Sequence, residues 1–166
     1  HIRADSSLES LAKLRPVFRK DGSITAGNAS AITDGAAAVM VLSEQAVKSH
    51  GVTPLAAVLG SVSVGVDPAR MGIGPVPAVQ QLLKRHALRL EDIDLIELNE
   101  AFASQVIACD RELKFDPERL NVNGGGVSLG HPTGCSGTRI LVALAHELQR
   151  TAGRYGVATL CVSGGQ

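Results

Sequence analysis

Downstream of residue 54, short apolar runs alternate with amphipathic stretches, and that alternation restricts the chain to a layered α/β architecture. Residues 55–64, 93–98, 120–123 and 155–162 read as strands. Residues 77–87, 99–113 and 134–150 read as helices, the first with Val79, Leu82, Leu83 and Ala87 at helical spacing. The resulting βαβαβαβ order predicts a largely central sheet. Upstream, the apolar run 36–42 (AAAVMVL) suits a buried strand or the start of a helix, which periodicity cannot separate. Strand is the better reading. Ser43 then caps a short helix with Glu44 in its first turn and Gly51 beyond its end. Residues 1–25 read as a connecting segment, with a short helical stretch over 8–14 that stops before Pro16 and a turn at Lys20-Asp21-Gly22-Ser23.

A chain of 166 residues is one domain's worth, able to bury a core of roughly 70% of its unfolded surface. Aromatics are few, three Phe and one Tyr without Trp, so the core must be aliphatic and base-stacking platforms for nucleic acid are nearly absent. Sixteen basic residues balance sixteen acidic ones, which leaves no field for a polyanion. No apolar run reaches the roughly 20 residues that cross a bilayer. Neither nucleic acid nor membrane is therefore an expected partner. The cysteines, Cys109, Cys135 and Cys161, are odd in number and far apart, which fits neither a zinc site nor a disulfide framework. No metal is expected, a reducing compartment fits best, and the expected location is the cytoplasm. The chain starts at His1 and stops inside a glycine run, so both ends read as cut, with any targeting signal upstream.

Four stretches could carry chemistry. Asn99-Glu100-Ala101-Phe102-Ala103 follows a strand, which puts Asn99 at the carboxyl edge of the sheet, where α/β ligand sites lie; read locally, Asn99 is a helix N-cap. The segment 124–137 holds Gly124, Gly125, Gly126, Gly130, Gly134 and Gly137 around His131-Pro132, between a strand and a helix. Such glycines let backbone approach a ligand or another segment, and a loop placed before a helix could hold an anion or a thioester oxygen. It has neither the Gly-Lys-Ser/Thr of a P-loop nor the GxGxxG of a dinucleotide turn. His131 reads equally as a structural or a catalytic imidazole. Cys161-Val162-Ser163-Gly164-Gly165 ends the last strand; a buried Cys there is usually a small hydrophobe, but the glycines after it suit a sulfur facing a cavity. Thr25-Ala26-Gly27-Asn28-Ala29-Ser30, with Asp34-Gly35, reads by itself as a turn. His50, His86, His146 and His1 fall outside these stretches and are expected on surfaces or helix faces.

Taken together, AGNAS at 26–30, NEAFA at 99–103, GHPxGxSGxR from Gly130 and the Cys-led glycine run at the end follow the motif order of thiolases, and VDPARMGIGPVPA at 66–78 is similar too. The resemblance covers essentially the whole chain. It implies a thiolase-like α/β/α/β/α fold of two similar βαβαβαβ halves, of which this chain would carry mainly the carboxyl-terminal half. Residues 1–25 would end the inserted loop region, 26–51 would be the last strand and helix of the first half, and 52–166 the second half. It further implies thiolysis of 3-ketoacyl-CoA, or the reverse condensation, through an acyl-cysteine whose nucleophile lies outside this chain. The chain by itself is then expected to be inactive. Coenzyme A would be substrate or product and no cofactor permanently bound, in a homodimer or homotetramer.

By the same resemblance, His131 would help deprotonate the nucleophile and donate to a thioester oxygen. Asn99 would hold a water that supplies a second donor, and Cys161 would be the acid/base. Ser30 would contact coenzyme A, and Met71 and Phe102 would wall the acyl pocket. Ser163 stands where many relatives have glycine, and its N–H is expected to complete an oxyanion hole. Two other readings stand beside this one: a condensing enzyme of fatty-acid or polyketide synthesis, and a non-catalytic coenzyme A- or lipid-binding relative.

Overall fold

A computed structural model describes residues 2–166; His1 lies outside the described residues. Its regular elements are helices α1 (Leu8–Ala12), α2 (Glu44–His50), α3 (Pro75–Arg85), α4 (Ala103–Leu113), α5 (Gly126–Leu129) and α6 (Ser136–Thr151), with strands β1 (Leu95–Leu98) and β2 (Gly156–Thr159). β1 and β2 pair in parallel, Leu95 opposite Gly156 and Leu98 opposite Thr159.

β1 is buried along its whole length, as a central parallel strand must be when helices cover both faces. Side chains alternate across it. Ile96 and Leu98 enter an aliphatic cluster with Val76, Val79 and Leu83 of α3, Cys109 of α4, and Val157 of β2. Glu97, on the opposite face, meets Arg139 of α6. α6 packs on both strands. Its buried positions, Ser136, Ile140, Leu144 and Glu147, form one stripe at helical spacing. Each buried aliphatic side chain contributes about 1.5–3 kcal/mol relative to exposure, so these two faces hold the layers together.

Several expected elements take a different form. α2 forms as read, with the Ser43 side chain accepting from the Ala46 N–H and Gly51 in the left-handed conformation. The helix expected over 99–113 starts only at Ala103, because residues 99–102 are drawn into extended contacts with the AGNAS segment. Ala29 bridges Phe102, and the Ala103 N–H donates to Asn28 O at 2.8 Å. The strand expected over 120–123 is reduced to a parallel bridge between Ile96 and Leu120, after which Asn121 turns the chain with a φ of 48°.

Runs 36–42 and 55–64 form no strand among the described residues. A strand needs a neighbour's backbone as well as apolar side chains. Here Met40 is 85% and Val41 81% exposed. Side chains donate to residues 55–61 at the two ends, Gln149 to Leu55 O and Arg85 to Ser61 O, and Gly60 packs on His86. The turn after Lys20 forms, with the Gly22 N–H donating to Arg19 O at 3.0 Å. His50, His86 and His146 are exposed, as expected. No described helix is long and apolar enough to cross a membrane.

Candidate active site

Asn99 and Cys161 leave the sheet at the same edge. The Leu98–Thr159 pair is the last in register, and the Asn99 N–H extends the ladder by donating to Thr159 O at 2.9 Å. Asn99 is 0% exposed, and its Nδ2 lies 3.3 Å from His131 Nε2. This buried amide is not an N-cap, since α4 is capped by Phe102 without a side-chain bond. Asn99 Oδ1 has no hydrogen-bond partner among the described residues. A fully buried acceptor left open in this way suits a donor from a ligand or a water.

His131 is placed by two segments. Its N–H donates to Ala31 O at 2.8 Å, and Ile32 bridges it in parallel. On the ring, Nδ1 lies 2.6 Å from Ser136 Oγ, at the first position of α6. Burial holds the imidazole below its usual pKa, and the positive charge of Arg139 adds to that. The site therefore favours the neutral ring, the form with a lone pair available as a base.

The glycine loop approaches protein segments. A Cβ on Gly125 would meet the Glu100 carboxylate, one on Gly126 the Glu100 backbone, and one on Gly130 the Thr33 side chain. Gly130 also has a φ of 101°, which a side chain would strain. Glu100 secures this loop by accepting from Val127 N–H at 3.0 Å and Asn121 Nδ2 at 2.9 Å. Gly35 packs closely on Pro132, which ties the fourth stretch to the His131 loop.

Cys161 is 8% exposed and follows β2. Burial pushes its thiol pKa up. The glycines after it pin the end of the chain against the 66–74 segment. Gly165, at a φ of 89°, accepts from the Val66 N–H at 2.7 Å, and a Cβ there would strike Val66 O. Ser163 is exposed between Val162, which bonds Gln166, and this glycine pair. Met71 lies in the 3-10 turn Pro68–Ile73 of the same segment.

Ser30 and Phe102 belong to the two segments that pair just before the His131 bridge. Ser30 Oγ donates to Ala101 O at 2.9 Å, so its hydroxyl joins the 26–30 turn to the NEAFA segment. Phe102 stands edge-on to Phe18 at 6.1 Å and lines a cleft of about 440 Å³ with Phe18, Ile24 and Ser23. Of the other thiols, Cys109 is buried against Gly72 O and its pKa is raised by burial to about 11, while Cys135 precedes α6. Ser136, Glu100 and Arg139 were not singled out by sequence reasoning. Ser136 and Arg139 stand inside the GHPxGxSGxR pattern, but only the fold shows that they face His131.

These elements define an α/β chain with an amide and an imidazole in contact at the carboxyl edge of a parallel sheet, the edge at which the chain also runs from β2 to a buried thiol. Comparison with known proteins gives the family. The thiolase C-terminal domain matches residues 52–166 and the thiolase N-terminal domain residues 1–45, so the chain belongs to the thiolase family. It is 55% identical over its whole length to the mitochondrial 3-ketoacyl-CoA thiolase of Pongo abelii, and 55% identical over 99% of its length to an acetyl-CoA acetyltransferase of Pseudomonas aeruginosa. A crystal structure of human mitochondrial 3-ketoacyl-CoA thiolase in complex with CoA superposes over 99% of this chain with a TM-score of 0.93 at 49% identity. The chain spans about 42% of the length of each of these three proteins.

Proposed function

We propose that this chain supplies the acid/base and oxyanion-stabilising part of a thiolase-type acyltransferase that cleaves 3-ketoacyl-CoA with coenzyme A, or runs the reverse condensation. The observation that carries this reading is the 3.3 Å approach of the buried Asn99 amide to His131 Nε2, at the edge where Cys161 emerges. The equal identity to relatives named for 3-ketoacyl-CoA and for acetyl-CoA supports the reaction type and leaves acyl length open.

In thiolysis, a cysteine outside this chain loses its proton to His131 and attacks the 3-keto carbon. The bond between C2 and C3 then breaks. The electron pair on C2 takes the Cys161 proton, releasing acetyl-CoA and leaving an acyl-cysteine. Cys161, now a thiolate, removes the proton of the incoming coenzyme A thiol, which attacks the acyl group and frees the nucleophile. A thiol pKa raised by burial suits the first half of this cycle, because Cys161 holds its proton until the carbanion develops. Protonated His131 and a water on Asn99 would donate to the thioester oxygen. Ser30, Met71, Phe102 and Ser163 keep the coenzyme A and acyl-pocket roles that the family resemblance suggests, and a homodimer or homotetramer is part of the same proposal.

The test is turnover of acetoacetyl-CoA and coenzyme A by the full-length protein beside its Cys161→Ala variant. A loss of at least about 10³-fold is expected. Unchanged turnover would remove Cys161 from the mechanism, and absence of turnover in the unaltered protein would favour a non-catalytic binding relative.

A further inference from the structure

We propose that Ser136 is the positioning residue that selects the tautomer of His131, holding the proton on Nδ1 so that the lone pair of Nε2 points to Asn99 and the site. The inference deepens the acid/base reading above, but its structural part stands without it.

His131 has one ring nitrogen on each of two fixed partners. Ser136 Oγ lies 2.6 Å from Nδ1 and donates its own proton to Pro132 O at 3.1 Å. A hydroxyl whose hydrogen is committed to a carbonyl offers only lone pairs to a third group, so Nδ1 must be the donor in that contact. On the other side, Asn99 Nδ2, a group with hydrogens only to give, faces Nε2. It can bond there only if Nε2 carries a lone pair. Both partners specify the same tautomer.

Neither partner can easily swing away. Ser136 is 1% exposed, and its backbone N–H donates to the same Pro132 oxygen at 2.9 Å. It occupies the first position of the buried stripe of α6, so the packing of Ile140 and Leu144 against the sheet fixes where its hydroxyl sits. In the proposed reaction this tautomer lets Nε2 accept the nucleophile's proton directly. Taking up that proton breaks the Asn99 Nδ2 contact, since Nε2 has a single lone pair, while Ser136 accepts from Nδ1–H before and after the transfer.

The tautomer is read in the full chain by two-bond proton–nitrogen correlation of labelled imidazoles at about pH 8, where the ring is neutral. His131 is assigned by its loss in His131→Asn. Nδ1–H is expected in the unaltered protein, and Ser136→Ala is expected to move the tautomer ratio about tenfold toward Nε2–H. Ser136→Thr, which keeps the hydroxyl, should retain the original ratio. An Nε2–H imidazole in the unaltered protein overturns the inference even if the alanine variant does not fold, as does an unchanged ratio in a folded Ser136→Ala. If the ratio moves while kcat of the full-length enzyme stays level, the assignment of Ser136 stands and the base role of His131 fails.

Discussion

The side chain of Asn121 takes the place of a strand residue opposite Leu98. The Leu98 N–H donates to Asn121 Oδ1 at 2.8 Å, and Asn121 Nδ2 donates back to Leu98 O at 2.9 Å. The backbone of Asn121 has already turned away with a positive φ, so an amide continues the ladder that the main chain abandons. The same Nδ2 reaches Glu100, which in turn holds Val127 of the glycine loop. One side chain thus joins the edge of β1 to the loop that presents His131.

This arrangement predicts an unequal response to near-isosteric changes. Asn121→Asp keeps the acceptor for the Leu98 N–H but sets a carboxylate against Leu98 O and Glu100. A loss of about 2–4 kcal/mol is expected, from the broken hydrogen bonds and the added repulsion. Urea denaturation measures it, and a midpoint matching the unaltered protein would show that the amide contributes nothing to the ladder.

Asn99→Asp probes the site with little change in volume. It replaces a donor facing His131 Nε2 with a carboxylate that attracts the imidazolium, so the lowered His131 pKa should rise. Turnover of acetoacetyl-CoA should fall about 10²–10³-fold, the cost of removing one oxyanion-hole donor. Imidazole titration by NMR and steady-state kinetics give the two readouts. A His131 pKa that stays low would mean that the amide does not govern the ring.

Glu97 carries a pH signature of the opposite sign to a carboxylate whose pKa folding lowers, such as Glu147 beside Arg150. Burial raises its pKa from 4.5 to about 7; Arg139, 3.8 Å away, opposes the rise, and Glu100 and Glu147 add to it. Below about pH 4.5 the group is protonated in folded and unfolded chains alike. Between there and about pH 7 the folded chain holds a proton that the unfolded chain has lost, so its contribution to stability declines as pH rises. Glu97→Gln should flatten that decline, with a gain relative to the unaltered protein of order 2 kcal/mol above pH 7. Parallel pH–stability curves for the two proteins would show that Glu97 ionises normally.

The local elements were legible in the chain wherever a short-range cause decides them. Ser43 and Gly51 bound α2, the spacing of Val79, Leu82 and Leu83 marks α3, and Ile140 and Leu144 mark the buried face of α6. Motif order alone pointed to the family and to Asn99, His131 and Cys161 as the residues to examine. Which residues meet was decided in three dimensions. Run 36–42 has the composition of a core strand and yet no ladder partner among the described residues, because pairing is a property of two segments. Asn99 resembles a helix cap until the 26–30 turn draws residues 99–102 into extended contacts and leaves its amide on His131. Ser136 resembles an ordinary first-turn serine until packing of α6 sets its hydroxyl on Nδ1. Propensity and periodicity act over one or two turns of chain, whereas the contact of Asn99 with His131 joins residues 32 apart in sequence, which only the packed layers bring together.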